Sequence, residues 1–297
     1  MDKYKLNDEE RKIWYDKTVR PFFLDDRKPA DEPSFVLLTA QSAAGKTTAS
    51  TRYANQLSTY PAKFSGDDIR SLHPHAQELL EVNPAEYPFI TKADMSWARE
   101  NLVEESLKNK FNIQIDAILA SPDDWKMGTL LKAKDAGYNI ECVALGVHRY
   151  LSEVSMFLRR EEQIRTINMG FPVTKDAHDK AYNVLPEVVA RMYDEGVADK
   201  VSIYNRDFSK YYDTSEAENP NGRDIMKGII KSREDYLTMD SLKLIDATWG
   251  SVFDAMSKRN ASEEQLSEAK LHYQAFRKDS GLYLFGMNPN FIKRKQR

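Results

Sequence analysis

The sequence predicts an α/β protein: a parallel five-stranded sheet with helices on both faces and a helical C-terminal extension. Three observations predict it. Short apolar runs alternate with helix-forming stretches from residue 35 to residue 204, the pattern of parallel strands joined by crossover helices. The first apolar run, 35–38, leads at once into Ala40-x-x-x-x-Gly45-Lys46-Thr47 and then a helix-forming stretch to about Gln56. Beyond a polar turn at 219–223 the chain reads as helical to about Arg277. The organisation expected is an N-terminal helix and linker (1–33), a sheet-bearing core (34–215), and a helical extension packed on that core (216–297).

Residues 7–19 form the first expected helix, with Asn7 as its cap, acids in its first turn, and Ile13 and Trp14 as its apolar stripe. A polar, Pro-containing linker (27–33) enters the first strand. Residues 62–65 are the second strand, 76–82 a helix, and 94–110 a longer helix with Trp97, Leu102 or Val103, and Leu107 inward. Residues 111–116 are the third strand. Ser121-Pro122-Asp123-Asp124 reads as a helix start, with the serine as cap and proline in the first turn. That helix ends at Gly137, and 138–146 is the fourth strand, with Cys142 as a small core residue. A long helix (148–167), a loop carrying Gly170 and Pro172, and a second helix capped by Thr174 and running to about Glu195 follow. Residues 200–204 are the fifth strand, and the basic tail from Asn288 is expected to fray.

The 297 residues carry a net charge of −3, with 41% hydrophobic and 30% charged residues, an ordinary globular mix. That balance argues against a nucleic-acid-binding surface covering the whole molecule and leaves room for local basic patches. The one cysteine excludes an intramolecular disulfide and a cysteine metal cluster, and suits a reducing compartment. No apolar run reaches the length of a membrane span, and the first residues lack the apolar core of a signal peptide. A protein of the cytoplasm, away from membranes, is expected.

The chemistry begins at residues 40–48. Between a strand and a helix, successive N–H groups and the helix N-terminus make a cradle for phosphate oxygens, here Ala43, Ala44, Gly45, Lys46, Thr47 and Thr48. Lys46 would reach the β- and γ-phosphates of ATP, and the Thr47 hydroxyl would hold Mg²⁺. Glycine is expected at 45 because a Cβ there would crowd the phosphate. The loop is otherwise poor in glycine. Asp67 follows the second strand, where a carboxylate can orient Mg²⁺, take a proton from an attacking hydroxyl, or cap the next helix. For Asp68 capping is the preferred reading.

The run Ala40-Gln-Ser-Ala-Ala-Gly-Lys-Thr-Thr48, then Gly66-Asp67-Asp68-Ile69-Arg70 with His73-Pro74, then Arg159-Arg-Glu-Glu162, Ala177-His178-Asp179 and Val201-Ser-Ile-Tyr-Asn-Arg-Asp207 resembles the zeta toxin family. That family belongs to the P-loop kinases, and the likeness extends from about residue 8 to 215 in the same motif order. The resemblance implies phosphorylation of UDP-N-acetylglucosamine by ATP at the sugar 3′-hydroxyl, and often a small helical antitoxin. It assigns ATP and Mg²⁺ to Lys46 and Thr47, the base to Asp67, and substrate contacts to Arg70, Glu100 and Asp116. Arg159 would offset charge on the transferring phosphoryl group. Arg206 would touch adenine or phosphate, or pair with Asp207. For Arg70 a surface pair with Asp68 is the alternative, for Glu100 a solvated helix face, and for Arg159 a pair with Glu161 or Glu162. His178 is expected to be structural, at a helix start, and not a metal ligand, since no second histidine stands at ligand spacing.

The sequence departs from the family at its substrate end. Where the family has Glu-Gly-Thr-x-x-Arg, this chain has Asp116-Ala-Ile-Leu-Ala-Ser121, and the family's second phosphate-binding arginine falls at Phe171. Arg165 or Lys175 could reach the same phosphate, though neither is in register. The expected function is therefore an ATP-dependent kinase acting on a nucleotide sugar or another nucleotide-containing metabolite. The rival is a non-catalytic nucleotide-binding module acting through protein contacts. The N-terminal helix leads almost directly into the first strand, so any antitoxin is expected to be a separate chain.

Overall fold

The computed structural model describes residues 2–84, 86–121, 125–167, 170 and 175–280. Helix α1 (Asp8–Trp14) opens with the expected cap. Asn7 Oδ1 accepts from the Glu10 N–H at 3.0 Å, and Glu10 returns a carboxylate to the Asn7 N–H at 2.8 Å. The helix does not stop at residue 19. It passes through a π turn (Tyr15–Val19) into α2 (Arg20–Leu24), which places Pro21 in a first turn where its missing N–H costs little.

The core then alternates as expected: β1 (Ser34–Thr39), α3 (Lys46–Ala54), β2 (Ala62–Ser65), α4 (Gly66–Ser71), α5 (Ala76–Val82), α6 (Tyr87–Ile90), α7 (Lys92–Lys108), β3 (Ile113–Ala117), α8 (Trp125–Asp135), β4 (Asn139–Leu145), α9 (Arg149–Ile167), α10 (Lys175–Asp194) and β5 (Lys200–Tyr204). The proposed caps of α8 by Ser121-Pro-Asp-Asp124 and of α10 by Thr174 involve positions outside the described residues, as does the tail from Asn288.

The sheet has six strands, not five, in the order β2-β3-β1-β4-β5-β6. Five are parallel, and β6 (Lys210–Asp213) returns antiparallel to β5. This short polar edge strand carries no apolar alternation. It exists because β5 offers it a partner: Ser202 Oγ donates to the buried Asp213 carboxylate at 3.0 Å.

Alternate residues of each strand serve two cores. Phe35 and Leu37 of β1 join Ile140 and Cys142 of β4 under α1, α2, α7, α8 and α10. Val36 and Leu38 join Val143 and Leu145 on the other face, under α3 and α9. The C-terminal helices divide between these faces. Ile225 and Ile229 of α11 (Gly222–Asp235) enter the first core. Trp249 of α12 (Met239–Lys258) and Phe276 of α13 (Glu263–Asp279) enter the second. Helix α12 lies along α9, with the Phe157 and Trp249 rings 5.0 Å apart. Arg259 closes the pair by gripping buried Glu161 with two hydrogen bonds, 2.6 and 2.7 Å. No helix among the described residues is long and apolar enough to cross a membrane.

A buried acid fixes the N-terminal helix to the core. Asp94 of α7, 1% exposed, accepts from Arg11 Nε at 2.5 Å, from the Leu6 N–H at 3.4 Å, and from His73 Nε2 at 3.2 Å. The His75 N–H points at His73 Nδ1, so Nε2 carries the proton. Burial pushes the Asp94 carboxyl up, but hydrogen bonds from His73, Arg11 and Leu6 outweigh it and hold it below its ordinary value. One carboxylate thus ties α1, the exit of α4, and α7 together. Asp94→Ala should destabilise the fold by about 3 kcal/mol, because it strands a half-buried arginine and a buried histidine. Its folded pKa being depressed, this contribution is complete above about pH 4 and is lost as pH falls through the folded value. Thermal unfolding from pH 3 to 7 should therefore show the wild-type advantage over the variant shrinking at the acid end. A pH-independent gap would show that the carboxylate charge is not what holds these helices.

Candidate active site

The loop after β1 is built for an anion. Ala40 and Ala44 are fully buried in the core with Val143 and Leu145, which is why alanine stands where glycine often does. Ala43 takes a left-handed conformation (φ 57°), and Gly45 does so further out (φ 92°) as the N-cap of α3. A Cβ at residue 45 would meet only Arg206 Cγ at 3.8 Å, an ordinary contact. Glycine is therefore required here by backbone conformation, in addition to any crowding of a ligand. Helix α3 has no side-chain cap and no acid in its first turn, so neither a capping side chain nor a first-turn carboxylate competes with an anion at its N-terminus. Lys46 Nζ rests on the loop's own carbonyls, 3.0 Å from Ala40 O and 2.8 Å from Gln41 O. Thr47 is exposed beside it.

Arg206 walls one side. Its guanidinium donates to Ser155 of α9 at 3.1 Å and does not pair with Asp207, whose carboxylate instead accepts from Ser209. Burial lowers the Arg206 pKa. Beyond it lies a cavity of about 580 Å³ lined by Asn205, Arg206, Tyr211, Asp235, Tyr236 and Thr238. Three of those residues come from α11 and the turn that follows it.

The acids lie on the opposite side of the loop. In sheet order β3 stands between β1 and β2, so Asp67 is two strands from the loop and Asp116 one. Asp116 sits level with Leu38 and Ser65 at the carboxyl end of β3. Burial pushes its carboxyl up to about 6, against the opposing pull of Ser50, Lys63 and Gln114. Its Oδ1 is buried with no hydrogen-bond partner among the described residues. Asp67 is the reverse: its side chain is 83% exposed and meets Arg70 at 2.5 Å. Arg70 therefore pairs with Asp67 and not with Asp68. Asp68 caps α4, exchanging hydrogen bonds with Ser65 at 2.8 and 3.1 Å. Glu100 lies exposed on α7.

On α9, Ser152 and Ser155 face the loop, and Arg159, one turn beyond Ser155, is exposed on the same side. Glu161 is taken by Arg259 and so is not the partner of Arg159. Arg160 turns to Glu268 of α13 at 3.1 Å. Arg165 lines a groove between α9 and α12 with Leu158, Asp254 and Lys258, away from the loop-facing side. Phe171 lies outside the described residues.

His178 is fully buried on α10, 2.8 Å from Ser152 Oγ and 3.2 Å from Asp179. With Glu153 these form a cluster of metal-ligand types. Their carboxylates already face Arg149 at 3.5 and 2.9 Å, Lys175, and His272 at 3.6 Å. Gln41 and Ser152, which join this cluster to the loop, escape sequence reasoning. Both are ordinary polar residues until the fold buries them.

Comparison with known proteins follows the same outline. The family model described as Zeta toxin matches residues 23–217. Toxin PezT of Streptococcus pneumoniae serotype 4 (strain ATCC BAA-334 / TIGR4) is 30% identical over 192 residues, 64% of this chain and 75% of that protein. Toxin zeta of Enterococcus hirae is 22% identical over 196 residues, 64% of this chain and 66% of that one. A solved structure from the PezAT chromosomal toxin–antitoxin system of Streptococcus pneumoniae superposes with a TM-score of 0.72 at 23% identity, covering 84% of this chain and 99% of that chain. A chain of the AvrRxo1-ORF1:-ORF2 complex superposes with a TM-score of 0.50 at 12% identity, over 81% of this chain and 80% of that chain. Those two likenesses concern the fold, while the family match spans both the phosphate loop and the acids beside it. The chain belongs to the zeta toxin family.

Proposed function

We propose that this protein is an ATP-dependent kinase that transfers the γ-phosphoryl group to a hydroxyl of a nucleotide sugar, UDP-N-acetylglucosamine or a relative, or of another nucleotide-containing metabolite. The single observation that carries this reading is the uncapped first turn of α3 behind Gly45, with Lys46 and Thr47 at its edge. That geometry suits a polyphosphate better than any neutral ligand. Lys46, released from the Ala40 and Gln41 carbonyls, binds the β- and γ-phosphates. The cavity beyond Arg206 receives the base. Arg159, extending from the loop-facing side of α9, offsets charge on the group in transfer.

The acceptor enters from the β2–β3 side. Asp67 accepts the hydroxyl proton, and Arg70 holds that carboxylate in place until the substrate arrives. Asp116 and Glu100 are acceptors for the substrate's remaining hydroxyls. The exposed Thr47 hydroxyl, a hard oxygen next to Lys46, fits Mg²⁺. When bound there, Mg²⁺ would neutralise phosphate charge. The relatives named as toxins, and the PezAT pairing of one of them, support a toxin role for this chain held in check by a separate antitoxin protein acting in the cytoplasm.

Lys46→Ala should reduce ATP binding and transfer by at least roughly 10²-fold, read by calorimetry and by phosphate incorporation into a metabolite panel. Transfer at the wild-type rate would remove the kinase reading. Asp67→Asn separates binding from chemistry: ATP affinity should persist while single-turnover transfer falls by roughly 10²-fold. Loss of affinity in step with rate would instead place Asp67 at the metal. Because Asp116 is pushed up to about 6, it is charged only above that pH. Transfer should rise with pH through an inflection near 6 that disappears in Asp116→Asn, and an unchanged profile would exclude an ionised Asp116 from the reaction.

A further inference from the structure

Residues 40–47 contain one glycine, yet Ala43 also adopts a left-handed conformation. A residue with a Cβ resists that conformation, so something must hold the backbone there. The hold comes from behind the loop. Gln41 is fully buried, and its Nε2 donates to Val147 O at 2.7 Å and to Ser152 Oγ at 3.2 Å. Ser152, fully buried in the first turn of α9, has a single proton to place. A helical serine ordinarily returns it to a carbonyl three or four residues back, and Arg149 O and His148 O stand at 3.0 and 3.4 Å. His178 Nε2 is nearer, at 2.8 Å.

The partners of His178 decide the direction of that bond. Its Nδ1 lies 3.2 Å from Asp179 Oδ1, which can only accept, so Nδ1 carries the ring proton. Burial lowers the imidazole pKa against the opposing pull of Asp179 and Glu153, which favours the neutral ring. In a neutral ring with its proton on Nδ1, Nε2 accepts. The Ser152 hydroxyl therefore turns to His178, and its lone pairs are left to the Gln41 amide. Asp179 is in turn fixed by Arg149 at 2.9 Å and by Lys175. The order serine–histidine–aspartate is that of a nucleophilic triad, but Ser152 is fully buried and meets no substrate.

We infer that His178 is a positioning residue for the phosphate loop, acting through Ser152 and Gln41 to hold the loop backbone in the conformation that receives the ligand. This rests on the reading that the loop binds nucleotide. The link also sets the loop against α9, the helix that carries Arg159 and, through Ser155, Arg206.

The test is a mutant cycle on the full chain with two readouts. The first is affinity for a non-hydrolysable ATP analogue by calorimetry, and the second is amide hydrogen exchange of residues 40–47 without ligand. His178→Ala should weaken analogue binding about five- to tenfold, on the scale of one buried hydrogen bond, and speed loop exchange several-fold. In a Gln41→Ala background the same change should cost less than about twofold, because its route is already cut. His178→Gln, which keeps an acceptor near the Nε2 position, should recover most of both signals. Equal losses in both backgrounds would overturn the inference and assign His178 to packing of α10. Unchanged loop exchange in the His178 variant would overturn it as well. If His178→Ala fails to fold, Ser152→Ala takes its place in the cycle, with the same outcomes counting for and against. If the unsubstituted protein binds no analogue while His178→Ala still loosens the loop, positioning stands and the nucleotide reading falls.

Discussion

A phosphate site made of backbone requires N–H groups that their own chain leaves unpaired. Five helix starts among the described residues do the opposite. Asn7, Ser65, Asn221, Thr238 and Ser262 each turn a side chain onto the first turn of their helix. Helix α3 has Gly45 in that place, no capping side chain and no acid in its first turn, at the positive end of its dipole. Such an end is costly unless its geometry is fixed, and the loop has too little glycine to adopt it without support. The burial of Ala40, Ala44 and Gln41 supplies that support: two methyl groups packed into the sheet and one amide held by α9.

The two ends of the site differ in character. Around the loop, hydrogen bonds run inward to buried partners. Around the acids, Asp67 and Glu100 are exposed, while Asp116 is desolvated at the end of its strand. An exposed carboxylate held by one arginine can exchange that partner for an incoming substrate at little cost. A desolvated carboxylate cannot, and it favours a ligand that brings a hydrogen bond to it. The loop end is thus tied to buried partners, while the acid end holds groups that can exchange theirs.

Most of the sheet was legible from sequence because burial on both faces leaves unbroken apolar runs, as in 35–38 and 142–145. The sixth strand was not, since Lys210–Asp213 has no apolar pattern and owes its form to β5. The loop was legible because Gly45-Lys46-Thr47 between a strand and a helix admits few other purposes. The alternative reading of Arg70, a surface pair with Asp68, fails because the capping box with Ser65 occupies Asp68 and leaves Asp67 for the arginine. The chain from Gln41 to Asp179 spans residues far apart in sequence, and none is unusual until burial forces each polar group to find a partner.

The grip of Arg259 on Glu161 gives the C-terminal helices a mechanical part in the site. Matched family sequence ends at residue 217, so Arg259 lies outside it, yet it closes on the helix that presents Arg159 and Ser155 to the loop. A chain cut at 217 would strip α9 of Arg259 and of the Trp249 ring beside Phe157, and would expose to water the face that they cover. The segment matched by the family model therefore leans on helices outside it for the packing of α9. A change in those helices that touches no residue of the loop can still shift α9, and with it Ser155 and Arg159.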